Sequence, residues 1–572
     1  MSASRRHKGR ASLVAALVWL AATSAHAQSK GFEELQVLEP DFAVSEWRLI
    51  DLQGDGSSEL IILGRNGEVR VWQRRDEGTL FGDEPVGSLV LPDPEHSAVA
   101  AWRSPSGAIR LAVASSLGLT WYGLGESGGF EESATVGRQR RAAFTLRIGA
   151  PRWLDILQDI DADGEPDLVL PSGRECALWF AEPPASGEEE SPVPRFRRGT
   201  EVVMRVDRES GSDHERLSDY LQSGFVIPRL DLRDLNGDER PDLLVVDGEL
   251  RQFHIQGEAG GLPSEPSVTL DLSIFRDTTP AATIQPGRTL AGGDEARLEI
   301  ADLDVDGVED YVIAHRRKVW VFHGGAEGPQ FQKPTSILKV SDDVTALLLP
   351  RLDADEWPDL FLLKVQVPTL ATLILGLLTE WDIDITALGY ASESGKTFSK
   401  SPTWRGELSV TLPSIVSILK DPEGLLRRFE AVGERFQESR QGDFDGDGAP
   451  DRLMLPQDGG RAELWRGAGG PSDPTAAFES LLRDVFFERE RRDWSLDEVL
   501  GLLSRLADER TARLTGGREA DTSITLRDPE AFLLTASGIG DIDGDGLDEL
   551  VLSYRERDGD VLVLEVLRWS RE

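Results

Sequence analysis

An acidic ten-residue motif recurs along this chain, and its spacing restricts the fold more than any other feature. Asp159, Asp161, Asp163, Gly164 and Asp167 form one copy, followed at once by the apolar run Leu168-Val169-Leu170. Asp302, Asp304, Asp306, Gly307 and Asp310 form a second. Asp443, Asp445, Asp447, Gly448 and Asp451 form a third, and Asp541, Asp543, Asp545, Gly546 and Glu549 a fourth. Degenerate copies begin at Asp51 (with Gln53, Asp55 and Glu59), at Asp234 (with Asn236, Asp238 and Asp242) and at Arg351 (with Asp353, Asp355 and Asp359). A remnant begins at Trp102, where Ser104, Ser106 and Gly107 keep the frame without the acids. The starts lie between 49 and 98 residues apart. A unit that repeats at this scale cannot bury an apolar face alone and must stack on its neighbours.

Acids at positions 1, 3, 5 and 9 form an oxygen-donor pattern of the kind calcium takes, six to eight oxygens at a time. Glycine at position 6 allows the sharp turn. Helical calcium loops end on an acid at position 12. Here the last acid falls at position 9 and a short apolar run follows, which predicts a buried strand rather than a helix. A second short strand closes about twenty residues after each start, often on an aromatic, as at Trp72, Trp121, Trp179, Trp320 and Trp465. A Gly-rich turn comes next, as at Gly324 to Gly328. The unit is therefore strand, acidic loop, strand, turn, strand, Gly-rich turn, strand. Four strands per unit describe a propeller blade.

These residues resemble the calcium-loop repeat of the FG-GAP/VCBS family, known from integrin-alpha-like propellers and many secreted bacterial proteins. The resemblance covers nearly all of residues 28–572. It implies an all-β propeller of about eight four-stranded blades, or seven if the Trp102 unit merges with a neighbour. It also implies about four to six calcium ions. The expected ligands are the acids of the four full copies together with Asp51, Asp55, Glu59, Asp234, Asn236, Asp238 and Asp242. In the copy at 351 a guanidinium is expected in the cation position.

Residues 1–27 read as a signal peptide. Arg5, Arg6, Lys8 and Arg10 form its basic start, Ala11 to Ala22 its apolar stretch, and Ala25-His26-Ala27 a small-residue cleavage site. An exported protein, periplasmic or extracellular, is the expectation. No later run is long enough to span a bilayer; Leu370 to Leu378 reads as a core helix. Cys176 is the single cysteine, so no intrachain disulfide can form. The formal charge of −39 argues against nucleic acid or anionic membrane as a partner. A monomer binding a protein or glycan ligand is expected.

Insertions are expected at about 184–225, 366–440 and 473–514. The second should hold a strand over Trp381 to Ile385 and a helix from Asp421 to Phe436. The third reads as a helical hairpin. Its second helix begins at the capping box Ser495–Glu498 and presents Val499, Leu502, Leu503 and Leu506 on one face. That hairpin is expected either to pack on the propeller rim or to receive a partner. The last motif leaves room for three strands, so Leu35 to Leu38 near the N-terminus is expected to supply the fourth.

Catalytic patterns are weak. Gly125, Ser127 and Gly129 match a nucleophile string, but where other units place their Gly-rich turn. His254 and His323 take the aromatic strand position and read as packing residues. The expected role is a calcium-binding module of the cell envelope that binds or scaffolds a ligand. A calcium-dependent lectin or polysaccharide lyase is the alternative, to be distinguished by an aromatic-lined pocket holding paired charges.

Overall fold

The computed structural model describes residues 31–570, apart from 75–79, 83, 104–108, 126–129, 132–137, 173–174, 183–192, 204, 211–220, 227, 258–260, 276–295, 342, 354, 366–374, 434, 436, 456–459, 470–473, 489–492 and 558–560. The expected signal segment, the Trp102 remnant loop and Ser127 lie outside the described residues. What is described is a propeller-like repeat of four-stranded antiparallel sheets.

The acidic loop joins the first two strands of a sheet. In the first sheet these are Val44–Ile50 and Glu59–Gly64, followed by Glu68–Trp72 and Gly87–Val90. The second sheet is built on Ala98–Arg103, Ile109–Ser115 and Gly118–Leu124. The third runs Leu157–Gln158, Asp167–Ser172, Glu175–Glu182 and Arg195–Val203. The fourth and fifth begin at Arg229–Arg233 and Arg297–Ala301, the sixth at Ala346–Leu348, and the seventh at Glu438–Gly442. The eighth contains Phe532–Gly540, Glu549–Glu556 and Leu562–Trp569, and Phe32–Leu38 pairs antiparallel with its last strand.

The second strand of each sheet is apolar on both faces because each face meets a different neighbour. Leu60 and Ile62 pack with Val551 and Val566 of the eighth sheet, while Ile61 and Leu63 pack with Val99 and Val113 of the second. The same alternation continues along the chain. Ala112 and Trp121 meet Leu168 and Trp179; Leu178 and Phe180 meet Leu243 and Val245; Phe253 meets Tyr311; Val312 and Val321 meet Leu360 and Leu362. Leu453 and Leu464 of the seventh sheet share a core with Leu550 and Leu552 of the eighth.

The sixth and seventh sheets are covered by the insertions instead. Helices α1 (Ile415–Lys420), α2 (Pro422–Gly433), α3 (Pro474–Arg483, continued by a π turn to Glu488) and α4 (Leu496–Thr515) lie here. Leu482, Phe486 and Phe487 pack on Phe361 and Ala387 of the sixth sheet, and Leu514 packs on Met454 and Trp465 of the seventh. The hairpin's apolar faces are thus used inside the fold. The strand expected at Trp381 extends to Tyr390. Of the expected core helix Leu370 to Leu378, only the last part is described, and Leu375, Leu377 and Leu378 are exposed rather than core. In the 184–225 segment a two-stranded sheet, Arg205–Ser210 with Leu221–Val226, follows the outer strand of the third sheet. Among the described residues no helix is long and apolar enough to cross a membrane.

Candidate metal centres

Each acidic loop folds around its own carboxylates. In the loop at Asp159, the position 1 carboxylate accepts from the backbone of Asp163 (3.1 Å) and Gly164 (3.0 Å), and Asp163 accepts from Glu165 N–H (2.8 Å). The loop at Asp302 repeats this, with Asp302 accepting from Asp306 (3.1 Å) and Gly307 (2.8 Å). Asp443 and Asp541 likewise accept from Gly448 and Gly546, at 3.0 and 2.9 Å. The position 6 glycine is left-handed in these loops, from φ 79 at Gly448 to φ 89 at Gly164. In the loop at Asp234, Glu239 is forced into the same region at φ 64. Position 4 is left-handed too. Gly54, Gly237, Gly446 and Gly544 accept it easily, but Ala162 and Val305 adopt it at φ 58 and 59.

The position 9 acid has a separate job. In seven loops it accepts the position 2 amide: Glu59 from Leu52, Asp167 from Ile160, Asp242 from Leu235, Asp310 from Leu303, Asp359 from Leu352, Asp451 from Phe444 and Glu549 from Ile542, at 2.5–3.2 Å. The second oxygen usually takes an amide at or just past the end of the third strand, as Asp167 does from Ala181 and Asp310 from Gly324, both at 2.8 Å. All seven acids are buried. Burial pushes Glu59, Asp167 and Glu549 up to about 7 and Asp359 to about 6; Asp242 and Asp451 are raised for the same reason. Position 9 is therefore a clamp between the loop and the strands.

Four loops gather carboxylates closely enough for an ion. Asp159, Asp161 and Asp167 each offer an oxygen, and the three lie within 4.8 Å of one another; so do those of Asp302, Asp304 and Asp306, of Asp443, Asp445 and Asp451, and of Asp541, Asp543 and Glu549. Oxygens at 2.3–2.6 Å from one calcium are at most about 5 Å apart, so the grouping fits the ion. Asp161 Oδ1 and Asp304 Oδ1 are buried without a hydrogen-bond partner among the described residues. Burial raises both acids, with further contributions from Asp163 and Asp159 at the first and from Asp306 at the second. A divalent cation would satisfy these oxygens and remove that repulsion. Asp163, Asp310, Asp447 and Asp545 belong to the same loops but fall outside these groups. Among the described residues the loops at Asp51 and Asp234 gather no such trio, since position 3 is Gln53 or Asn236.

The sequence did not single out the cations that the fold brings to these loops. Arg466 pairs with Asp445, and Arg568 pairs with Asp543 and with Glu549, the latter at 2.9 Å. His323 Nδ1 lies 3.0 Å from Asp310, and its other ring nitrogen faces the Lys396 carbonyl at 3.1 Å. The Asp310 hydrogen bond, acting against burial, raises His323 to about 9. His323 is thus more than a packing residue. Arg466 and His323 both directly follow the aromatic that ends the third strand, and that position was the available signal. Arg351, expected to serve as a built-in cation, is exposed, and its guanidinium makes no hydrogen bond or ion pair among the described residues. Its backbone N–H donates to Glu479 instead, at 2.8 Å.

Neighbouring loops are tied to each other through position 8. Asp548 N–H donates to the Asp443 carbonyl (2.9 Å), Ser58 to that of Asp541 (2.6 Å) and Glu309 to that of Leu235 (3.3 Å). The loops therefore lie along one side of the sheet stack.

No family model matches the chain, and no curated protein matches it. Among solved structures, BBS1N in complex with ARL6DN is 9% identical over 94% of this chain and 97% of its own, with a TM-score of 0.24. Sqt1 of Saccharomyces cerevisiae is 8% identical over 95% and 100%, with a TM-score of 0.28. Similarity at this level carries no argument about function.

Proposed function

We propose that this chain is an exported, calcium-stabilised β-propeller of eight blades that serves as a binding or scaffold module. The shared cores running from sheet to sheet support a ring, as does the joining of the N-terminal strand to the last sheet, which removes a free edge. The observation that carries the metal reading is the pair of buried, unpartnered oxygens of Asp161 and Asp304, each inside a three-carboxylate cluster. The ion belongs to positions 1 and 3, joined by position 9 at Asp167, Asp451 and Glu549 and by position 5 at Asp306. Calcium supplies the positive charge that lets these acids stay ionised side by side. The loops at Asp159 and Asp302 are the stronger sites. At Asp443 and Asp541, Arg466 and Arg568 compete for the same carboxylates. Export follows from the signal pattern of residues 1–27, and the binding role from a rigid scaffold that presents loops and insertions along its rim.

Equilibrium dialysis and calorimetric melting in millimolar calcium against chelator test this reading. Saturation at two or more ions per chain is expected. Each site adds about 2.7 kcal/mol at a ligand concentration a hundredfold above its dissociation constant. Superposed melts with no retained calcium would overturn it.

A further inference from the structure

A cavity of about 250 Å³ opens where the first strands of the first, second and third sheets meet, and none of its lining residues belongs to the acidic clusters. Four elements form it: the strand Val44–Ile50, the strand Ala98–Arg103, the segment around Arg152–Trp153, which adds to the latter as a parallel strand, and the strand Leu157–Gln158. That segment is fixed from both sides. Glu46 accepts from Trp153 N–H at 2.8 Å and pairs with Arg152 at 2.9 Å. Ser45 donates to the Pro151 carbonyl at 2.9 Å, and Leu154 N–H donates to Val99 at 3.0 Å. The space exists because Ala100 and Ala101 are small. Trp153, Ile50 and Leu157 wall it, and Arg48 and Asp155 stand at its rim. Both rim residues are exposed, and neither side chain has a hydrogen-bond or ion-pair partner among the described residues. The Trp153 indole nitrogen is buried without a partner.

From this arrangement we infer that the cavity binds one ring of a neutral hexopyranose. The inference rests on the binding-module reading above and gives it a ligand class. Opposite rim charges cancel, which disfavours a purely anionic or cationic ligand. An aromatic and aliphatic wall favours a ligand with a C–H face. Arg48 offers only donors and Asp155 only acceptors, so the ligand must both accept and donate along its edge, as hydroxyls do. The volume equals about eight waters of liquid, the scale of a single sugar ring.

The test uses the mature chain in calcium, with methyl α-glucopyranoside, methyl β-galactopyranoside and L-leucine as probes. Saturation-transfer NMR and titration calorimetry are the readouts. Saturable millimolar binding of at least one glycoside is expected. Trp153→Ala and the cavity-filling Ala101→Leu should abolish it. Arg48→Met and Asp155→Asn should each weaken it about tenfold, the loss of one charged hydrogen bond. The calcium-dependent melt of each variant reports its fold, and Ala101→Leu keeps the test decisive if Trp153→Ala fails to fold. Failure of both glycosides to bind, binding that survives Ala101→Leu, or saturable binding of leucine alone would overturn the inference. A wild-type protein that binds glycoside yet ignores calcium would instead overturn the metal reading and leave this one standing.

Discussion

Asp359 sits in a loop that begins with arginine and gathers no acidic trio, yet its carboxylate accepts from Leu352 and Ser392 at 2.8 and 2.9 Å. Asp161 makes the opposite case, with a buried oxygen that nothing among the described residues satisfies. Sequence spacing put both acids into one motif because a clamp and a ligand use the same side chain. Only burial and partners separate them. Asp359→Ala should therefore cost about 1–3 kcal/mol for each amide left unpaired, with the calcium count unchanged. Asp161→Ala should lower the count by one and leave the ion-free melt nearly in place. Dialysis and melting of the two variants side by side check this; equal loss of calcium in both would refute the division. Val305 adds a smaller test. It is exposed and held at φ 59, where a β-branched residue is strained. Val305→Gly should stabilise the protein by about 1 kcal/mol, read as a rise in Tm.

At the scale of elements, α4 shows what was legible and what was not. Its start was readable, because a capping box is a local pattern: Ser495 Oγ accepts from Glu498 N–H, and the Glu498 carboxylate accepts from Ser495 N–H at 2.8 Å. Its buried face was not. The sequence pointed to Val499, Leu502, Leu503 and Leu506, which are all half-buried, whereas the fully buried apolar residues are Leu500, Ala507 and Leu514. The helix is apolar enough for several faces, and the choice is made by the seventh sheet and by α2, which the local pattern does not contain. Arg435 of the α2 segment pairs with Asp508 of α4 at 3.0 Å, joining two insertions far apart in sequence. The acidic loops and their strands were legible for the reverse reason, since a short continuous apolar run after a fixed turn needs no distant partner to be recognised. Ser495→Ala should cost about 1 kcal/mol, the usual loss of an N-cap, and should leave calcium stoichiometry alone. Urea unfolding with unchanged slope checks it; a fall in bound calcium would mean that the helix supports the loops as well.

The whole molecule couples these acids to pH. Without an ion, burial raises Glu59, Asp167 and Glu549 to about 7, and neighbouring loop acids add to each shift. Glu565 on the last strand is also raised to about 7, by burial and then by its hydrogen bond to Glu34 of the N-terminal strand that joins this sheet. An acid whose folded pKa lies above its unfolded value adds stability that is complete below the unfolded value. That stability is lost as pH rises through the folded one. The ion-free protein should therefore lose stability steadily from about pH 4 to about pH 7, as several buried carboxylates ionise together. On the proposed metal reading calcium acts in the opposite direction, because it would bind the ionised form and compete with protons for the same oxygens. The calcium-induced rise in Tm should be small near pH 5 and large near pH 8. Asp359, raised to about 6 in a loop without an acidic trio, provides the internal control. Its contribution to the pH trend should persist in saturating calcium beside those of Glu59 and Glu565, and Asp359→Asn should remove only the share near pH 6. Calorimetric melts across this pH range, with and without calcium, measure both parts. A calcium effect that is equal at the two ends would mean that the ions do not sit among these carboxylates.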